Sequence, residues 1–380
     1  MKWKLLAAAS LLVPWNAYAA DLGGNCCADL EERVAELEAT TARKGNRKVS
    51  LEVSGHIHEM IFWRDEIELP GEEQVDLFDK GGRIMNDPNN SGRFRFRGSA
   101  KVNQDFEAGF LMELGVSHNE EDEPFEVRHQ ALYVKSRALG TVWLGQTSSA
   151  TDGIVELDLS NGSVAMTLAN PSMLGGGIMD GGRAPVVKYI TPTLAGFVLS
   201  AAWEDEDTYD FAGRFAKEYG GFQFAAGLGY AKFDGGDRIS GSASVKHVET
   251  GLFASGMYGR LDDGDGDIFD VDLDQFGVAA FDAEQWGGRL GVDRKWFALG
   301  KTTIFGEYSQ IKFKDGGGDL DYWGAALVQS IDAAAMDIYV AYRRVEPDLI
   351  VGEECVRREC NDIEWDDGID EFKVGARIKF

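Results

Sequence analysis

The chain is short of cations. Its 38 Lys and Arg stand against 64 Asp and Glu, a formal net charge of −26. A polyanion is repelled by phosphate backbones, which excludes nucleic acid as a partner. Long apolar runs are also scarce: beyond the first residues nothing approaches the roughly 20 consecutive apolar residues that a spanning helix needs. That excludes a helical membrane protein but not a membrane barrel, whose strands are each only half apolar. No Gly-x-Ser-x-Gly nucleophile motif occurs, so acyl-transfer chemistry of that type has no foothold. Cysteines number only 4. Cys355 and Cys360 sit five apart in a charged stretch, a spacing that suits a small disulfide-closed loop in an exported protein. A metal site is the competing reading, but no histidine lies near either cysteine pair. The adjacent Cys26 and Cys27 are poorly placed to bond each other.

What is present begins with an export signal. Lys2 and Lys4 precede the apolar run Leu5 to Val13, and Ala17-Tyr-Ala19 fits a small-x-small cleavage site. Residues 1–20 therefore read as a secretory signal peptide. Residues 21–46 read as a short helical, coiled-coil-like periplasmic segment. Leu30, Val34, Leu37 and Thr41 recur there at helical spacing among glutamates.

From Val49 onward the period is two, and residues 47–380 read as one all-β body. Phe222, Phe224, Ala226, Leu228 and Tyr230 alternate with Gln223, Ala225, Gly227 and Gly229. In a strand successive side chains point to opposite faces, so each segment has an apolar wall and a polar one. The final stretch is equally strict: Phe372, Val374, Ala376, Ile378 and Phe380 oppose Glu371, Lys373, Arg377 and Lys379. Short turns such as Gly220-Gly221 alternate with long acidic connections, among them 65–90, 261–283 and 346–370. Trp63, Trp203, Trp286, Trp323 and Tyr342 fall near strand ends. Together these predict a transmembrane antiparallel β-barrel of about sixteen strands with interface girdles. The last strand should close against the first, around Val49 to Ile57.

The chain resembles the Gram-negative general porins, most closely the alphaproteobacterial outer-membrane porins. The likeness rests on Asp21-Leu-Gly-Gly-Asn-Cys-Cys-Ala-Asp-Leu, Lys44-Gly-Asn-Arg-Lys-Val-Ser, Ser91-Gly-Arg-Phe-Arg-Phe-Arg-Gly98, Gly182-Arg-Ala-Pro-Val-Val-Lys-Tyr189 and Phe380. It implies a homotrimeric barrel in the cell outer membrane, among lipid and lipopolysaccharide, passing ions and small hydrophilic solutes without a cofactor. It also implies a long third loop, here 147–182, folded into the lumen. That loop's carboxylates, with Asp152, Glu156, Asp158 and Asp180 as candidates, would face basic residues across the pore. Arg93, Arg128 and Arg183 match the family's lumen arginines by position, and His56 falls where a pore-lining residue is common. Arg95 and Arg97 share the face of Arg93. The family's usual Pro-Glu-Phe-Gly-Gly is replaced by Pro171-Ser-Met-Leu-Gly-Gly, which leaves open which acid faces the arginines. A terminal aromatic such as Phe380 is the family's signal to the barrel-assembly machinery.

Other readings compete at single sites. His56 and His58 share a strand face and mimic a metal pair without a third ligand. Asp263-x-Asp265-x-Asp267 starts like a calcium loop but has Ile268 where the turn glycine belongs. A barrel phospholipase would need a Ser–His pair facing outward near the membrane rim, with His129, on the outward side of its strand, as the candidate. A plugged structural or adhesive barrel is the other alternative.

Overall fold

The computed structural model describes residues 48–64, 81–88, 90–119, 124–170, 178–204, 207–263, 282–314, 318–352, 362–365 and 368–380. The predicted signal peptide, the 21–46 segment, Cys355 and Cys360, and Asp265 with Asp267 lie outside them.

The strands are β1 (Ser50–Arg64), β2 (Gly81–Asn86), β3 (Gly92–Lys101), β4 (Phe106–Val116), β5 (Phe125–Ser136), β6 (Gly140–Ser148), β7 (Arg183–Ile190), β8 (Phe197–Trp203) and β9 (Tyr209–Tyr219). They continue as β10 (Phe222–Phe233), β11 (Gly236–His247), β12 (Leu252–Asp263), β13 (Ala283–Phe297), β14 (Gly300–Phe313), β15 (Gly318–Ile331), β16 (Met336–Gly352), β17 (Asp362–Trp365) and β18 (Ile369–Lys379). All pair antiparallel with their neighbours in one closed sheet. β2 and β3 lie end to end along β1, as β17 and β18 do along β16, so the barrel has sixteen staves. Closure leaves no sheet edge, the condition a strand wall must meet in lipid.

The last strand meets the first, as its pattern predicts, but higher up than Val49 to Ile57. The register runs from His56 opposite Lys379 to Arg64 opposite Glu371. The chain's end sets this limit: Gly55 and Phe380 exchange both backbone hydrogen bonds, at 2.9 and 3.1 Å, leaving β1 below Gly55 to pair with β3 alone. Two stretches expected as loops also carry sheet. β2 lies within 65–90, and β16 runs on to Gly352, because both extend ladders that continue above the lipid band.

The outer face is the apolar one, with Leu132, Leu228 and Leu290 each more than 60% exposed. Aromatic pairs ring both ends of that face. Trp63 on Phe372, Trp286 on Tyr308 and Trp323 on Tyr342 mark one, and Phe197 on Phe215 with Phe94 on Phe380 the other. The buried apolar core lies inside the barrel. There Ile154, Val155, Leu168 and Met179 of the β6–β7 connection pack on Met257, Leu261, Ile311, Leu320 and Tyr322 of the wall.

Candidate functional site

The connection between β6 and β7 lies in the lumen, packed on apolar side chains of the wall and admitted at its closest approaches by wall glycines. A Cβ at Gly227 would come within 2.7 Å of Ile154 Cδ1, and one at Gly259 within 2.7 Å of Met179 Cγ, so glycine is what lets the loop lie against the wall. β6 extends through Ser148, which leaves Thr147 on the strand opposite Ala184 and starts the loop at Ser149.

The root of the loop hangs on Asp210. Its carboxylate accepts the backbone N–H of Ala150 and of Thr151 (3.0 and 2.6 Å) and the Thr151 hydroxyl. Arg214 donates to the Ala150 and Asp152 carbonyls at 2.8 and 2.7 Å. Farther along, Ser242 Oγ donates to the Ile154 carbonyl and Ser244 Oγ accepts the Leu159 N–H. The middle of the loop is fixed by an ionic chain: Arg289 donates to Asp158 at 2.6 Å, to the Met166 carbonyl at 2.7 Å and to Glu307 at 2.6 Å. Glu307 also accepts from Arg343, which donates on to the Asn170 and Thr167 carbonyls. Tyr322 donates to the Leu168 carbonyl at 2.5 Å.

The predicted acids therefore separate. Asp158 is held in the anchor, bonded to Arg289 and to the Ser255 hydroxyl. Asp180 turns back on its own loop and accepts the N–H groups of Gly153 and Ile154, both at 3.0 Å. Burial, and next the Glu156 and Asp152 carboxylates, push its pKa up to about 7. Glu156 alone of the four is exposed at its surface. The enclosing wall and then Asp152 raise its pKa, while Arg289, Arg183 and Arg93 pull it down, which places it within the field of those three cations.

The predicted bases converge. Arg93 and Arg95 on β3 and Arg128 on β5 surround the fully buried Glu113 of β4. Arg128 Nε donates to it at 3.0 Å, Arg95 Nε at 2.6 Å, and Arg93 Nη1 lies 3.6 Å away. Glu126 extends the cluster, 3.3 Å from Arg128 and 3.4 Å from Arg183 at the start of β7. Arg97, exposed on the same face, stacks over Tyr133. His56 contacts the Ser91 carbonyl, and His58 the Asn90 carbonyl and the Tyr339 hydroxyl, so the two imidazoles address different partners. In the last strand Lys373 is buried, while Arg377 and Lys379 both reach Asp337 on the inner face.

His129 corrects the expectation for its strand. It does not face outward: β5 has a bulge at Arg128, with Glu113 opposite His129 and Leu114 opposite Val127. The extra residue breaks alternation, so Arg128 and His129 both turn inward, and His129 Nδ1 meets Thr147 Oγ1 at 3.1 Å. Sequence reasoning also missed Asp210, Arg214, Arg289, Glu307 and Arg343. Each sits at an inward position of a recognised strand, but nothing local announces a partner in the distant loop.

A closed sixteen-stave barrel with an apolar belt, a polar interior and an inserted loop is an outer-membrane diffusion channel. A family profile of Gram-negative porins matches residues 9–348, and the chain belongs to that family. No curated protein matches it in sequence. Among solved structures it is similar to the anion-selective porin from Comamonas acidovorans, with 13% identity, TM-score 0.58, and 87% of this chain and 100% of that one covered. The outer membrane channel DcaP of Acinetobacter baumannii aligns with 12% identity, TM-score 0.57 and coverages of 89% and 99%. OmpT of Vibrio cholerae in a trimer form aligns with 14% identity, TM-score 0.56 and coverages of 87% and 99%. The protein is a passive-diffusion porin of the outer membrane.

Proposed function

We propose that solutes pass between the inserted loop and the β3–β5 wall, with Arg93, Arg95, Arg97, Arg128, Arg183 and His56 lining that passage and Glu156 opposing them. The observation that carries this reading is the division of labour among the loop acids. Asp158 and Asp180 are engaged in holding the loop, whereas Glu156 is exposed and within the field of Arg93 and Arg183. Opposed charges across a narrow aqueous gap order water and sort solutes by charge and dipole. Arg93, Arg95, Arg128 and Arg183 outnumber Glu113 and Glu126 in the cluster, so the neck favours anions. Charges farther than the ~8 Å Debye length from the path are largely screened at physiological salt, so the neck weighs more than distant charge. The Comamonas channel is described as anion-selective, and this chain takes the same sign in this reading.

The channel assembles as a homotrimer, as the Vibrio protein does in its trimer form. It sits among lipid and lipopolysaccharide after export by the 1–20 signal and insertion through Phe380 by the assembly machinery. The 21–46 segment stays periplasmic, Cys355 and Cys360 close an outer loop, and the origin is alphaproteobacterial. The barrel is not an enzyme: His129 meets Thr147 on the inner face, away from any lipid ester. The test replaces Arg93, Arg128 and Arg183 together with glutamine. Reversal potential under a salt gradient should move toward cations; an unchanged potential removes these residues from the filter. A barrel without open-channel steps would instead be plugged.

A further inference from the structure

One inward carboxylate touches both the inserted loop and the closing strand. Asp337 lies near the start of β16 and is buried. It belongs to a lateral row of directly opposed residues: Ser330 on β15, Asp337, Arg377 on β18 and His58 on β1. That row crosses the seam where the last strand meets the first. The two carboxylate oxygens divide their partners. Oδ1 accepts from Asn161 Nδ2 of the loop at 2.9 Å and from the Ser330 hydroxyl at 2.8 Å, and Asn161 also reaches Ser330 Oγ at 3.2 Å. Oδ2 accepts from Arg377 Nη2 at 3.0 Å, with Lys379 Nζ 3.5 Å away. One oxygen takes neutral donors and holds the loop; the other takes cations and holds the strand.

Asn161 is a sensitive place to hold. It follows Glu156 and Asp158 and directly precedes a short 3-10 turn, Gly162–Val164. Past that turn Val164, Ala165 and Met166 pack in one cluster with Phe253, Phe305, Ala326 and Val328 of the wall. Glu156 is therefore followed by two anchors, Asp158 on Arg289 and Asn161 on Asp337. They differ in where the cation comes from. Arg289 sits on β13, whereas Arg377 and Lys379 arrive with β18, the last strand of the chain. Taking the cations away leaves a buried carboxylate with neutral donors alone, a costly state that turning toward water relieves. Such a turn releases Asn161.

We infer that Asp337 is a positioning residue that couples closure of the barrel to the setting of the neck. Docking of β18 fixes the carboxylate; the fixed carboxylate holds Asn161, and with it the loop segment that carries Glu156. The neck takes its working width only once the last strand is seated, and a barrel with that strand loosened conducts through a looser gap. The inference rests on the reading that solutes pass between the loop and the β3–β5 wall, and it adds what holds the loop side of that passage.

A double-mutant cycle in planar bilayers tests it, on full-length protein first selected as heat-modifiable barrel so that assembled channels are compared. A shift of reversal potential in Glu156→Gln checks the passage by itself, so a failure of that reading is separable from a failure of the coupling. Asn161→Ala and Arg377→Met should each raise the frequency of high-conductance excursions at least tenfold. Together they should raise it no more than about twofold beyond either alone, because both break one link. Asp337→Asn keeps an oxygen for Asn161 and Ser330 but presents an amide to Arg377, and should reproduce Arg377→Met. Arg377→Lys, which keeps the charge, should restore most of the quiet trace. If Arg377→Met does not assemble, Lys379→Gln, on a half-exposed side chain, takes its place in the cycle with a severalfold effect and the same criteria. Single effects that multiply in the double variant, or a closing-strand variant as quiet as the unaltered channel, overturn the inference.

Discussion

Replacing Arg289 with methionine removes the hub of the loop anchor. The guanidinium holds Asp158, the Met166 carbonyl and Glu307 at once, and it is almost wholly buried. Methionine preserves much of the packing over Phe305, where the guanidinium carbon lies 4.3 Å from the ring centroid. It leaves Glu307 with Arg343 alone and Asp158 with hydroxyl and amide partners. Removing one member of a buried ionic set costs about 3–5 kcal/mol. At 1.36 kcal/mol per decade, that multiplies the undocked population of the loop roughly hundredfold to a few thousandfold. The other anchors, at Asp210, Ser242 and Tyr322, remain, so the loop stays docked most of the time. Single-channel recording should show brief excursions to higher conductance that the unaltered channel lacks, with fewer in Arg289→Lys. An assembled Arg289→Met channel with the same conductance and the same noise would refute the claim that this ionic chain holds the loop in place.

Three further outcomes are expected. The docked loop holds the Asp180 carboxyl at about 7 against a free value of 3.8, so it binds that proton more tightly than an undocked loop does. Docking is therefore firmest below about pH 4 and weakens as pH rises to 7. Current noise should grow across that interval, and Asp180→Asn should flatten the dependence. Gly55→Val places a Cβ within 2.7 Å of the Phe380 ring, and deleting Phe380 removes the two backbone bonds to Gly55 and the contact with Phe94. Both should lower the yield of heat-modifiable barrel, and equal yields would sever the link between this contact and closure. Glu156→Gln removes the loop charge that opposes the arginines and should strengthen anion preference, whereas Asp158→Asn should act on noise more than on selectivity.

The fold was largely legible because a half-buried strand writes its own pattern. The alternation from Phe222 to Tyr230 and from Phe372 to Phe380 marks β10 and β18 directly, and glycine turns separate neighbouring segments. What escaped were departures from that pattern. A single added residue at Arg128 reverses the facing of what precedes it, so counting along β5 put His129 on the wrong side. β2 and the upper part of β16 sit in acidic stretches whose composition says loop although their ladders continue. The arginine cluster was readable from Arg93, Arg95 and Arg97 on one face. The roles of the loop acids were not, because Asp158 and its partner Arg289 lie 131 residues apart and meet only when the barrel closes.

The most direct measurement is the reversal potential of the purified, unaltered protein in a planar bilayer under a salt gradient. The account predicts discrete open-channel steps and a modest potential on the anion-selective side, set by the Arg93, Arg95, Arg128 and Arg183 cluster. A potential on the cation-selective side, or an assembled barrel without steps, would contradict it.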